Sequence, residues 1–292
     1  MPTSTGIFIP AVLAEIERIR PASVLDVGCG FGLWGFLCRL YLDVFEGRPY
    51  RDEWTIRIEG VEIFRKYIMP HQEFLYDRIH IGRIENYVDE LDGFDLYIFG
   101  DVLEHLPKKD GLSILSTAYS KSNKGILINI PIGEGWLREG TDDNPHEAHV
   151  SIWDFDDFVS YSPKICGEAS LPNVGRYACL LLDKTFAEAE KAGLMVSNGR
   201  LLVEINPEAA LSFFKSATDL GYGSPDAHLE IANLLLQQKK VDETVDILRQ
   251  AIDRFPEHAE TYDILSKVLQ LSNRLAEARE VMAARPSPAT GQ

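Results

Sequence analysis

Over its first 183 residues the chain sets short apolar runs between stretches of helical spacing. Val12, Leu13, Ile16 and Ile19 fall on one helical face, which predicts a lead helix over 11–19 ended by Pro21. The run Val24 to Val27 reads as a strand and residues 33–42 as a helix, and further strands are expected at 56–62, 79–81, 95–100 and 125–130. Apolar runs that alternate with helical patterns build a mostly parallel, doubly wound α/β sheet with helices on both faces. Residues 164–168 and 176–182 read as its closing strands, and 46–53, polar and turn-rich, as a surface insertion.

Past Asp183 only helical periodicity remains. Setting Pro225 equivalent to Ala259 reveals a self-similarity at 34 residues, a period similar to that of tetratricopeptide repeats. In that register Ile231, Ala232, Leu235, Leu248 and Ala251 take the packing positions of one unit and Pro256 its terminal proline, and Tyr262, Leu265, Ser266 and Ala278 the packing positions of the next. Ala210, Phe214 and Ala217 match the second helix of a preceding unit. An ordinary helical extension without repeat ancestry is the alternative. The layout expected is a sheet domain over 1–183, a connecting segment over 184–204, an all-α tetratricopeptide-like region over 205–285 and a disordered tail over 286–292.

The first strand ends in an acid and runs at once into alternating glycines: Asp26, Gly28, Gly30, Gly32. Glycines at such a strand-to-helix corner accept positive φ and let backbone N–H groups approach a nucleotide-type ligand at a helix N-terminus. The spacing D-x-G-x-G-x-G resembles motif I of class I S-adenosylmethionine-dependent methyltransferases. A Rossmann-like sheet and S-adenosylmethionine as cofactor are what the resemblance implies. It also assigns cofactor contacts to Asp26, Gly28, Cys29, Gly30 and Gly32, then to Glu62 and Ile63 after the second strand, where a carboxylate accepts the ribose hydroxyls. Glu62 comes 36 residues after Asp26, a long interval that the 46–53 insertion explains. Gly30 to Gly35 also spells the dinucleotide fingerprint G-x-G-x-x-G, but two residues too late after the strand. For adenine the family often has Gly-Asp where this chain has Gly82-Arg83, so backbone around Ile84, or Glu85, takes that role, and Gly100 closes the fourth strand beside the methyl donor.

Beyond that strand, Asp101, Glu104 and His105 share one face if the segment is helical. Their pattern resembles the metal motif of ubiquinone-pathway O-methyltransferases and of small-RNA 2′-O-methyltransferases, which add a later histidine. His146 and His149 are on offer, and the expected metal and catalytic set is Asp101, Glu104, His105 and His149. Oxygen donors with one or two imidazoles suit Mg²⁺, Mn²⁺ or Fe²⁺. A metal would lower the pKa of an acceptor hydroxyl; the alternatives are His149 as a metal-free general base, and residues that merely shape the pocket. Residues 130–136 and 144–153 resemble methyltransferases of bacterial glycan assembly, so the acceptor expected is a small molecule or glycan, with Trp136 or Trp153 either stacking on a sugar face or simply packing.

Composition narrows the partners. Lys and Arg number 29 against 45 Asp and Glu, a net charge of −16, which disfavours unaided nucleic-acid binding. Four cysteines without C-x-x-C spacing suit a reducing compartment, and with no secretory signal or membrane-length apolar run a cytoplasmic location without membrane insertion is expected. The repeats would recruit a protein partner or a second copy, and a degenerate methyltransferase domain serving as an interaction platform is the competing reading.

Overall fold

The computed structural model describes residues 3–141, 143–171, 175–221 and 224–286. The chain divides into two compact units, Met1–Asp157 with Pro163–Thr185, and Phe158–Ser162 with Phe186–Gln292.

The first unit is built on a seven-stranded sheet. Its strands are β1 (Ser23–Val27), β2 (Arg57–Glu62), β3 (Arg78–Ile81), β4 (Leu96–Gly100), β5 (Gly125–Ile132), β6 (Lys164–Leu171) and β7 (Gly175–Asp183). They lie in the order β3-β2-β1-β4-β5-β7-β6, parallel from β3 through β5, with β7 antiparallel to both its neighbours. The fold is therefore Rossmann-like, and the chain reverses direction across the sheet between β1 and β4. Ligands of such sheets sit beyond the strand carboxyl ends at that reversal. The central strands are buried on both faces, which is why they read as unbroken apolar runs: Val24, Leu25, Leu96, Ile98 and Phe99 have no exposed surface.

Helix α1 (Ile9–Ile19) buries Val12, Leu13, Ile16 and Ile19, as the spacing predicts, and ends at Ile19, two residues before Pro21. Arg20 takes left-handed φ of 48° and donates its N–H to the Ile16 carbonyl, closing the last turn itself. Helix α2 (Leu33–Arg39) continues as one π-helical turn, Leu40–Val44. There Arg39, almost wholly buried, donates to Asp43 at 2.6 Å and to the Ile56 carbonyl at 2.8 Å, and its guanidinium lies 4.2 Å from the Trp54 ring centre. Asp43 also accepts the Arg48 and Thr55 N–H groups at 2.8 and 2.9 Å, so the root of the 46–53 insertion is pinned to the core while most of its residues are exposed. Helices α3 (Pro70–Leu75) and α4 (Lys108–Lys121) complete the unit.

The second unit is helical: α5 (Glu188–Leu202), α6 (Pro207–Asp219), α7 (Asp226–Gln237), α8 (Val241–Arg254), α9 (Ala259–Leu271) and α10 (Leu275–Ala283), each packed on the next. Helices α6, α8 and α10 begin 34 residues apart, at Pro207, Val241 and Leu275. Ala210, Phe214, Ala217, Ile231, Ala232, Leu235, Leu248, Ala251, Tyr262, Leu265, Ser266 and Ala278 are all buried. Residues 287–292 of the expected tail lie outside the described residues. Among the described residues no helix is long and apolar enough to cross a membrane.

Candidate functional site

The turn after β1 is set by its glycines. Gly28 has φ of 67°, and a Cβ there would stand 2.5 Å from Val102 Cγ2, so the corner can neither carry a side chain nor relax toward ordinary strand geometry. Its N–H and that of Cys29 donate to the Val61 carbonyl at 2.8 and 3.0 Å, stitching the turn to the end of β2. Glu62 finishes the stitch: its carboxylate accepts the Gly30 N–H at 2.9 Å and the Phe64 N–H at 2.7 Å. Burial pushes the Glu62 carboxyl above its ordinary range, and those two N–H donors oppose the shift.

These groups open onto a cavity of about 570 Å³. Gly28, Cys29, Gly30, Glu62, Ile63, Ile84 and Gly100 line it, and so do Asp101, Glu104, His105 and His149. Two residues expected at the cofactor are not on the wall. Asp26 is fully buried behind the turn, where its carboxylate accepts the Tyr76 hydroxyl at 2.6 Å and the Gly35 N–H at 3.2 Å. It holds the corner in shape from behind. Burial raises its carboxyl to about 7, against the pull of the Tyr76 hydroxyl. Gly32, at φ of 85°, caps α2 and likewise stays off the wall. Gly35, the last glycine of the late G-x-G-x-x-G, faces the Tyr76 ring, which a Cβ would approach to 2.1 Å; its bareness serves side-chain packing.

The expected ligand set is gathered only in part. Glu104, His105 and His149 bring one ligand atom each within 4.8 Å of one another. Asp101 is not in this cluster, because the segment is not an α-helix: Asp101 leaves β4 at left-handed φ of 59°, and only a single 3₁₀ turn, Leu103–His105, follows. The Asp101 carboxylate receives the Tyr177 hydroxyl instead. Trp153, the other stacking candidate, is buried beneath the Lys108 ammonium, 3.8 Å from its ring centre, and packs rather than lining the cavity; Trp136 does line it.

Around the three gathered groups the electrostatics are unusual. Both Glu104 oxygens are buried without a hydrogen-bond partner, as is His149 Nδ1. Burial and the neighbouring Asp101 charge hold the Glu104 carboxyl well above its usual range. Burial, then the Arg138 and His105 charges, lower His149 to about 4, and burial lowers His105 too. His105 Nδ1–H donates to the Ala148 carbonyl at 2.9 Å, which leaves Nε2 as the lone-pair nitrogen of a neutral ring. An unpartnered buried carboxylate beside neutral imidazoles is costly unless a cation joins it, and a backbone-anchored histidine is how a ligating imidazole is oriented. The donor set fits a divalent ion of the two-histidine, one-carboxylate type.

Several wall residues carried no sequence signal. Tyr67, Arg138, Tyr177 and the segment Thr3–Gly6 reach the cavity from loops and strand ends, with Ser4 accepting the Trp34 indole N–H at 3.1 Å; Asn144 joins them from the 144–153 segment that the sequence singles out.

No family model matches the sequence, and no curated protein matches it. Solved structures align with part of the chain at low identity. The 1,6-didemethyltoxoflavin-N1-methyltransferase of Burkholderia thailandensis, with S-adenosylhomocysteine bound, is 18% identical over 62% of this chain and 79% of its own, with TM-score 0.42. TehB of Haemophilus influenzae is 19% identical over 61% and 62%, TM-score 0.42. Magnesium protoporphyrin IX methyltransferase of Synechocystis PCC 6803, also with S-adenosylhomocysteine, is 16% identical over 59% and 80%, TM-score 0.39.

Proposed function

We propose that the chain is an S-adenosylmethionine-dependent methyltransferase that O-methylates a hydroxyl of a small molecule or glycan with divalent-metal assistance. One observation carries this reading: a single cavity joins the glycine turn and Glu62 to the cluster of Glu104, His105 and His149. When bound, S-adenosylmethionine supplies an electrophilic methyl group, and a divalent ion supplies Lewis acidity toward the acceptor oxygen.

The chain's own part is to bind, orient and hold protons. The N–H groups of Gly28, Cys29 and Gly30 are taken by Val61 and Glu62, so the turn meets the amino-acid end of the cofactor through its carbonyls, which accept from the ammonium, and the free lone pairs of Glu62 accept the ribose hydroxyls. Ile84, buried beside the wall, packs against the adenine. Glu104, His105 and His149 are the proposed ligands, and the Ala148 carbonyl fixes the His105 tautomer that ligation needs. Tyr177 donates its hydroxyl to Asp101, which stands outside the set of three. Trp136, lying 22° from parallel with the His149 ring, offers a flat apolar face to the acceptor. Positioning of donor and acceptor for in-line displacement supplies much of the rate, up to about 7–11 kcal/mol.

The domain layout belongs to this proposal: a methyltransferase domain to about residue 183, then tetratricopeptide-type repeats that recruit a protein partner or a second copy. Their 34-residue helix spacing supports that reading. The test is transfer of labelled methyl from S-adenosylmethionine to a panel of hydroxylated glycans and small phenols, with chelator and with added Mn²⁺. Transfer that chelator stops and Mn²⁺ restores is expected. Turnover unaltered in a Glu104→Ala/His105→Ala variant removes the metal, and failure of the chain to bind S-adenosylmethionine favours the interaction platform.

A further inference from the structure

Tyr67 ties the two halves of the cavity together, and this inference rests on the cofactor reading above. Gln72, fully buried in α3, donates its amide to the carbonyl of Gly30 and to that of Tyr67, the second at 2.9 Å, while its oxygen accepts the Met69 N–H at 2.6 Å. The backbone of Tyr67 is thus fixed to the glycine turn. Its hydroxyl looks the other way. It donates to Glu147 Oε1 and accepts from Asn144 Nδ2, both at 3.0 Å and across some 80 residues of sequence. Asn144 in turn caps the 3₁₀ turn Pro145–Glu147 by accepting the His146 N–H at 3.0 Å. That turn leads directly into Ala148, which anchors His105, and into His149; Val150 and Ser151 then donate to the Glu104 carbonyl at 2.8 and 3.2 Å.

We propose that Tyr67 is a positioning residue: filling the cofactor half of the cavity steadies Gly30, Gln72 and Tyr67, and the Tyr67 hydroxyl passes that order to the 144–151 loop that carries His149. The consequence is an ordered sequence, cofactor before acceptor, because a filled glycine turn reinforces the bonds that Val150 and Ser151 already make to the Glu104 carbonyl in holding the acceptor wall. The link runs through one oxygen atom. Tyr67→Phe deletes it and keeps the ring.

Hydrogen exchange with S-adenosylhomocysteine as the probe tests this without knowledge of the acceptor. In the wild-type chain, saturating S-adenosylhomocysteine is expected to slow exchange at the 146–151 amides about tenfold, the size of an effect carried by a hydrogen bond to a charged group. In Tyr67→Phe the probe should still bind within about threefold of wild type by calorimetry while the loop protection falls below about twofold. Glu147→Gln, whose amide oxygen can still accept from Tyr67, should keep the protection. Full loop protection in a Tyr67→Phe chain that binds the probe overturns the proposal, since direct ligand contact would then account for it. Loss of protection in Glu147→Gln together with its retention in Tyr67→Phe overturns it as well. Failure of the wild-type chain to bind the probe strikes the cofactor reading itself, a distinguishable result.

Discussion

Glu62 accepts the backbone N–H of Gly30 at 2.9 Å, so the acid that ends β2 and the glycine turn that follows β1 form one hydrogen-bonded unit. The same carboxylate takes the Phe64 N–H with its other oxygen. Each oxygen therefore keeps lone pairs for a ligand while the turn holds the carboxylate still. Glu62→Gln retains one acceptor and is expected to weaken S-adenosylhomocysteine binding about tenfold; Glu62→Ala, which also releases Gly30, about a hundredfold. Calorimetry on both variants checks the order.

Gly28→Ala places a methyl group 2.5 Å from Val102 Cγ2 at a φ of 67°. Steric overlap and left-handed strain act together, and a loss of about 2–4 kcal/mol of stability is expected. Urea denaturation against wild type measures it.

Asp26 gives stability a pH dependence of definite sign. Unfolded, its carboxyl ionises near its ordinary value of 3.8; folded, burial raises it to about 7. Between these limits the native state holds the extra proton, so this residue's contribution to stability falls as pH rises through the interval and levels off above it. Asp26→Asn keeps an oxygen to accept from Tyr76 and Gly35 and carries no proton to lose. Relative to wild type it should gain stability from pH 5 to pH 8, by an amount on the order of 2–4 kcal/mol, in denaturation curves run as a pH series.

Glu104 sets function against stability. Its two unpartnered, buried oxygens disfavour the metal-free fold, and Glu104→Leu is expected to stabilise that state by about 1–3 kcal/mol. Mn²⁺ should raise the wild-type melting temperature and leave that of the variant unchanged. Thermal unfolding with and without the ion reads both effects.

How far the sequence disclosed this arrangement depends on the kind of residue. Gly28, Gly30 and Glu62 were legible because the chemistry of a strand-to-helix corner restricts residue type at fixed spacing. The central strands were legible because burial on both faces demands continuous apolar runs. Asp101 misled, since three-residue spacing implies a shared face only on a helix, and β4 ends in a left-handed turn. Asp26 and Gly32 shape the corner without lining the cavity, a distinction of depth that a one-dimensional pattern does not carry. Trp153 showed the same ambiguity between packing and recognition. Tyr67 and Gln72 gave no signal at all, because each acts through contacts made far along the chain.

The account stands on a ligand seated at the first strand-to-helix corner, and titration calorimetry of S-adenosylhomocysteine into the wild-type chain and into Gly30→Val tests that most directly. Gly30 holds φ of 48° on the cavity wall, where a β-branched side chain would strain the turn and fill the ligand's place. The account predicts saturable one-site binding to wild type and at least a hundredfold weaker binding, on the order of 3 kcal/mol, to the folded variant. No binding to wild type, or equal binding to both, contradicts it.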